Sequence, residues 1–428
     1  MRKRRKEMKR SFGLPHFMTF VLALAVLSPL PLVSQIKAIK AKKIYTVSQG
    51  VIEKGILLIE NGKISELGPE GKIPWNAEVI DYSQKIIVPG LVEAHAARGY
   101  DIPNETNPLT PFVTVMDSLD LSHDAIKLAL RSGVTTMNIM PGNATILGGR
   151  GAIIKTYGLI IGDALMVPDS GMKISVAGTP AQSRIGVMAQ LRRYFDETKE
   201  YLEKKEKKTT ADKKEEMVST PMSFRSPEYV KYESVADLLK GRYGAFIYCP
   251  TPSDVVEAQK LSEVYGLKSV YVLGPEAYKA ADFAALKKLK VILDPELIYF
   301  EKDPITEELR KVDVATAFQA KGVDFALQSD PDKVQARTLF YQAMKLISCG
   351  ISPEIALKSI SLVPAQILGL DEQIGSLEKG KLANFVVLDK EPFDFSGKVE
   401  LVYIEGKLAY DRTKDEDLKD LADDKIGQ

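Results

Sequence analysis

Between residues 89 and 372, short apolar runs alternate with amphipathic helical segments, and this rhythm constrains the fold more than any other feature. The runs GVTTMNIMPG, GAFIYCP, KSVYVLG, KVILDPE and VDFALQSD each end in polar or turn residues. SHDAIKLALRSG, SDVVEAQKLSEVYG, EAYKAADFAALKKL and KVQARTLFYQAMKLISCG carry apolar residues at three-to-four spacing, and glycine closes several of them. Repeated strand–helix units predict an α/β fold on a parallel sheet. Their combined length suits a closed (β/α)8 TIM barrel, whose chemistry would sit where the strands end.

Both flanks have a different texture. ILLIENGKISELG predicts a hairpin turning at Asn61-Gly62, a dipeptide that tolerates positive φ at both turn positions. IGSLEKGKLANFVVLD and VELVYIEGKLAYD repeat short strands with glycine turns near the other end. Neither flank holds enough apolar surface to be stable alone. The economical expectation is one small β-domain built from residues 36–88 and 373–412, with the barrel at 89–372 and a charged tail at 413–428.

The first 34 residues stand apart. A basic start (Arg2 to Arg10) precedes the apolar stretch Phe17 to Leu27, which is too short for the ~20 residues of a spanning helix. Ser28 to Ser34 then breaks the helix with prolines and small residues. The pattern predicts an export signal and a periplasmic or extracellular location, the alternative being an uncleaved membrane anchor. No later stretch is long and apolar enough to span a bilayer. The net charge of +1 gives no general attraction to nucleic acid or anionic lipid.

The segment 192–216 holds nine basic and eight acidic residues. Its first half predicts a solvated helix with Glu–Lys pairs one turn apart, or else a lid or partner surface. GNATILGGRG, residues 142–151, lacks the spacing of a phosphate loop, and no Lys-Ser or Lys-Thr follows it.

Four stretches together, ILLIENGKISELG, VPGLVEAHA, RSGVTTMNIMPG and PAQILGLDEQIGSLEKGKLANFVVLD, resemble the metal-dependent amidohydrolases near the imidazolonepropionase-related branch. The resemblance spans roughly Ile44 to Arg412. It implies a barrel flanked by a β-sandwich formed from both ends of the mature chain. It also implies an ancestral reaction in which metal-bound hydroxide attacks a C–N amide bond, often cyclic.

Such chemistry needs several imidazoles or carboxylates converging at strand ends, and an acid to pass a proton to the leaving nitrogen. The family's His-x-His has His95 in the first place and Ala97 in the second. In MKISVAGTP, Gly178 or a neighbour stands where a bridging acid is expected. Cys249 and Leu273 stand where strand-end histidines are expected, and Asp330 keeps the catalytic aspartate. The expected metal set is thus His95, Cys249 and Asp330, with Asp330 catalytic or, alternatively, capping the next helix. The cofactor is none, or one weakly held divalent ion, zinc foremost.

His123 reads as a surface or capping histidine. A disulfide between Cys249 and Cys349 is disfavoured, because Cys349 falls late in a helix while Cys249 is expected at the barrel mouth. These features lead to an exported, weakened or inactive paralogue that binds a small cyclic amide or dipeptide-like ligand, or an active relative. The alternatives are a single-metal hydrolase, and a structural partner in a homo-oligomer.

Overall fold

The two flanks of the chain meet in one eight-stranded sheet. The computed structural model describes residues 36–69, 72–158, 160–178, 182–211, 227–330, 338–416 and 418. The export signal expected at 1–34, residues 212–216 of the charged insert and most of the 413–428 tail lie outside them. Strand Lys37–Tyr45 runs parallel to Glu78–Pro89 and antiparallel to Gly55–Glu60. Glu78–Pro89 pairs antiparallel with Phe385–Leu388, and Val399–Ile404 and Lys407–Asp411 follow outward. Chain ends more than 300 residues apart therefore share one ladder. Its apolar face holds Ile39, Leu57, Ile64, Ile87, Phe385 and Tyr403. The Asn61-Gly62 turn takes φ of 51° and 76°, as its residue types predict. Glu405-Gly406 makes the same turn at 51° and 68°.

The intervening residues form a mixed α/β unit of two sheets. In the larger, Gly171–Ser175, Gly244–Cys249, Ser269–Leu273, Lys290–Ile292 and Phe325–Ala326 run parallel in that order, with Leu147–Arg150 antiparallel at one edge. In the smaller, Leu91–Ala96 and Val134–Ile139 run parallel, and Ala152–Lys155 pairs antiparallel with Val134–Ile139. Gly151 is the point where the chain passes from one sheet to the other, and its N–H donates to Gly171 O at 2.9 Å. The opposite edges both bond to one short segment: Val92 N–H donates to Ile360 O and Leu327 N–H to Ser359 O, each at 3.0 Å.

Strand periodicity sorts the side chains into two layers. Ala94, Phe246, Val270, Val272, Ile292 and Ala326 share one face. Ile247, Cys249, Tyr271 and Leu273 share the other, where they meet Val255, Ala258 and Leu261 of helix Pro252–Tyr265. That helix starts with a Thr251–Asp254 capping box and ends at Gly266 with φ 68°.

The charged insert lies within helix Arg184–Ala211, which packs beside helix Pro227–Leu239. Its charges pair both one turn apart, as Arg193 with Glu197 at 2.8 Å, and across to the second helix, as Lys205 with Glu233 at 2.8 Å and Lys231 with Glu197 at 3.0 Å. The edge-on Tyr194 and Tyr232 rings add an apolar seam.

GNATILGGRG borders a cavity at the strand ends with its residues 142–144 and serves packing along most of its length. Residues 103–114 lie along it, with Gly142 N–H donating to Pro103 O at 2.6 Å and Arg150 N–H to Val113 O at 3.0 Å. A Cβ on Gly149 would stand 2.4 Å from Val113 Cγ2 and 2.5 Å from Val113 O. Gly149→Ala is therefore expected to lower stability by about 2 kcal/mol. Gly162→Ala, whose new Cβ meets only Ile160 Cδ1 at 3.9 Å, should be neutral or slightly stabilising. Urea midpoints of the two variants measure the contrast, and equal midpoints would contradict it.

Candidate functional site

At the C-terminal ends of the parallel strands lies a cavity of about 1330 Å³. Residues from eight parts of the chain form its wall, among them His95, Ala97, Arg98, Asn143, Ser175, Tyr248, Asp294, Gln328 and Asp330. Ala97 and Gly178 both reach this wall, as expected from their places in the sequence.

Beneath the cavity floor runs a buried hydrogen-bonded chain. Gln328 Nε2 donates to Leu293 O at 2.9 Å, so its Oε1 is the atom facing His95. Oε1 lies 3.0 Å from His95 Nδ1, which must then carry the ring proton. His95 Nε2 is left as an acceptor, and Lys173 Nζ donates to it at 2.7 Å. Lys173 is wholly buried and His95 nearly so. Burial drives His95 well below its ordinary pKa, and the Lys173 cation acts the same way. Burial also brings Lys173 from 10.5 to about 7, opposed by the Cys249 thiol.

A second buried group stands beside it. Glu93, fully buried, accepts from Ser329 Oγ at 2.6 Å and Ser329 N at 3.0 Å, and pairs with Arg98. This ties the strand bearing His95 to the segment bearing Gln328 and Asp330. Tyr248 borders the cavity with its phenol pushed up to about 12 by burial, so it stays a neutral donor.

The expected trio of His95, Cys249 and Asp330 is not assembled. His95 and Asp330 border the same cavity, but Cys249 faces the helix layer, since it follows cavity-lining Tyr248 by one residue on a strand. Its Sγ contacts Ile247 O at 3.7 Å, and burial holds the thiol well above its usual pKa. Leu273 lies on the same outer face, so neither residue occupies the place expected at the mouth. Cys249 and Cys349 are both free, and Cys349 Sγ donates to Asp313 at 3.3 Å.

Among the described residues, no group of three or more His, Cys, Asp or Glu side chains could hold a metal ion. The donors present do not fit one, because both nitrogens of the one cavity imidazole on a strand are already engaged. Helix Leu339–Ser348 starts from Thr338, whose hydroxyl accepts from Tyr341 N at 3.3 Å; residues 331–337, which follow Asp330 directly, lie outside the described residues. His123 caps helix Asp124–Arg131, its Nδ1 accepting from Ala125 N at 3.1 Å, and also reaches the cavity.

Lys173, Gln328, Glu93 and Tyr248 were missed by motif reading. Lys173 in MKISVAG carried a usable signal: a lone lysine inside an apolar strand must be buried with a partner or not be a strand at all.

The lowered Lys173 pKa has a consequence for stability. The unfolded chain binds more protons than the folded one between about pH 7 and 10.5. Stability from this group is full above 10.5 and is lost as pH falls toward 7. Unfolding free energy is expected to rise by on the order of 3 kcal/mol between pH 7 and 9.5. Lys173→Met should flatten that rise, which denaturant melts across the pH range would read.

The profile of the amidohydrolase family matches residues 268–409. A crystal structure of an amidohydrolase from Thermotoga maritima is 30% identical, covers 88% of this chain and all of its own, and superposes with a TM-score of 0.78. An imidazolonepropionase of Thermoplasma volcanium is 25% identical over 415 residues, 85% of this chain and 92% of that protein. An amidohydrolase of Hapsidospora irregularis is 23% identical over 401 residues, but the chain spans only 40% of its length. With the strand order, the cavity at the strand ends and full coverage of the Thermotoga structure, these likenesses lead to one conclusion: the chain belongs to the amidohydrolase superfamily, as a member related to the imidazolonepropionases.

Proposed function

We propose that this chain is an exported amidohydrolase-superfamily protein that keeps the family's ligand cavity and has lost most of its hydrolytic power. It binds a small cyclic amide or dipeptide-like molecule, alone or beside an active relative. The observation that carries this reading is the Lys173–His95 contact, which takes up the imidazole nitrogen a catalytic ion would need. In this reading the two sheets close into an eightfold barrel through the Gly151 and Ser359–Ile360 seams. The terminal sheet is its flanking sandwich.

The cavity suits an amide ligand. Tyr248 offers a neutral phenol, and Asn143 and Ser175 offer a carboxamide and a hydroxyl, so an amide can be met as both donor and acceptor. Asn143 Oδ1 is buried without a hydrogen-bond partner, an acceptor that a ligand N–H would satisfy.

A second reading keeps some activity, because His95 and Asp330 border one cavity. A single ion would then polarise the amide carbonyl, and Asp330 would carry the proton to the leaving nitrogen.

Two measurements separate these readings. Cyclic amides and dipeptides are screened by thermal shift; at a hundred times Kd a ligand stabilises by about 2.7 kcal/mol. The binding reading expects a stabilising hit that Tyr248→Phe and Asn143→Ala weaken, with no turnover above background. Metal-dependent turnover that falls about 100-fold in Asp330→Asn would replace it with the hydrolase.

A further inference from the structure

We propose that Lys173 is a built-in substitute for a metal ion, cross-linking the strands at the cavity floor and excluding divalent cations from His95. The inference stands on the geometry of the buried chain, whatever ligand the cavity takes.

A metal ion in a site of this kind would accept electron pairs from side chains on several strands and so pin those strands together. Here the chain Lys173 Nζ, His95, Gln328 and Leu293 O makes the same traverse with three hydrogen bonds of 2.7, 3.0 and 2.9 Å. It joins strand Gly171–Ser175 to Leu91–Ala96, then to the segment after Phe325–Ala326, then to the end of Lys290–Ile292. Two of these lie at sheet edges or in different sheets, so the backbone ladders alone do not hold them.

The same geometry keeps a cation out. A divalent ion binds an imidazole nitrogen at roughly 2.0–2.1 Å along the lone pair. Lys173 Nζ already lies on the Nε2 side of the ring, and the proton on Nδ1 closes the other. An ion would have to displace a wholly buried amine from its acceptor at 2.7 Å. Cys249, the nearest thiol in the sequence reading, cannot help from the other face of its strand. Exchanging the lysine for a shorter carboxylate changes this balance. In Lys173→Glu the side chain ends about one bond short of Nζ and brings two acceptors. The resulting gap to His95 Nε2 of roughly 4 Å is the span an ion bridges between two ligands at about 2.1 Å each.

The test uses the full chain and cobalt(II) or zinc alone. Wild type, Lys173→Glu and the double variant Lys173→Glu/His95→Ala are dialysed against each ion and then buffer. Metal is measured by elemental analysis and, for cobalt, by its visible spectrum. Wild type is expected to retain well under one ion per chain, and its melting temperature should not change on adding a chelator. Lys173→Glu should bind at least about tenfold tighter, with a cobalt spectrum that disappears in the double variant.

If Lys173→Glu fails to fold, wild type decides alone through its metal content and chelator response. One ion per chain in wild type, Lys173 recovered as its carboxylated form, or a folded Lys173→Glu with no gain in affinity would each overturn the proposal. A metal-free wild type that binds no amide sinks the functional reading above and leaves this one standing.

Discussion

A lysine amine buried against a histidine ring governs the centre of this molecule. Placing Lys173 in the interior removes it from water, which is costly unless its hydrogen bonds are replaced. His95 Nε2 supplies one acceptor at 2.7 Å, and the Tyr248 ring centroid lies 5.9 Å from Nζ. The histidine is fixed in turn by Gln328, and Gln328 by a backbone carbonyl. Each member of the chain sets the orientation of the next, so the tautomer of His95 follows from a carbonyl two hydrogen bonds away. A network of this kind rigidifies its surroundings when every member is satisfied.

The neighbouring Glu93 group works with it. Glu93 and His95 lie two residues apart on one strand, and Glu93 grips Ser329 while His95 grips Gln328. Two adjacent side chains of the 325–330 segment are thereby anchored to one strand by two different chemistries. Asp330, next along the chain, is held at the cavity as a result. The Lys173–His95 hydrogen bond and the Glu93–Arg98 salt bridge answer the same problem, which is how to keep polar groups in a sheet interior, one with lowered lysine basicity and one by charge pairing.

Much of the fold was legible in the chain. The strand runs ending at Ile139, Cys249, Leu273 and Ile292 all form, as does the Asn61-Gly62 hairpin, because apolar periodicity and turn chemistry are local properties. The site was harder to read. Cys249 and Leu273 were placed at the mouth by their position near a strand end, but a shift of one residue moves a strand side chain to the opposite face. Tyr248, one residue earlier, is the one that faces the cavity. The charged insert shows the same limit. Its helix was predictable, whereas the partners Glu233 and Lys231 lie on a second helix that local pattern does not pair with it.

By itself the sequence determined the strand–helix order, the hairpins at both ends, the single histidine of the VEAHA motif and the absence of its usual companion at Ala97. Those depend on residue type and spacing, which are written linearly. Only the tertiary structure decided that Lys173, 78 positions from His95, is its partner. It also decided that Gln328 sets the ring's proton, and that Cys249 turns toward the helices. These outcomes depend on register between strands far apart in the chain and on which buried polar groups must satisfy one another, and no single segment carries that information.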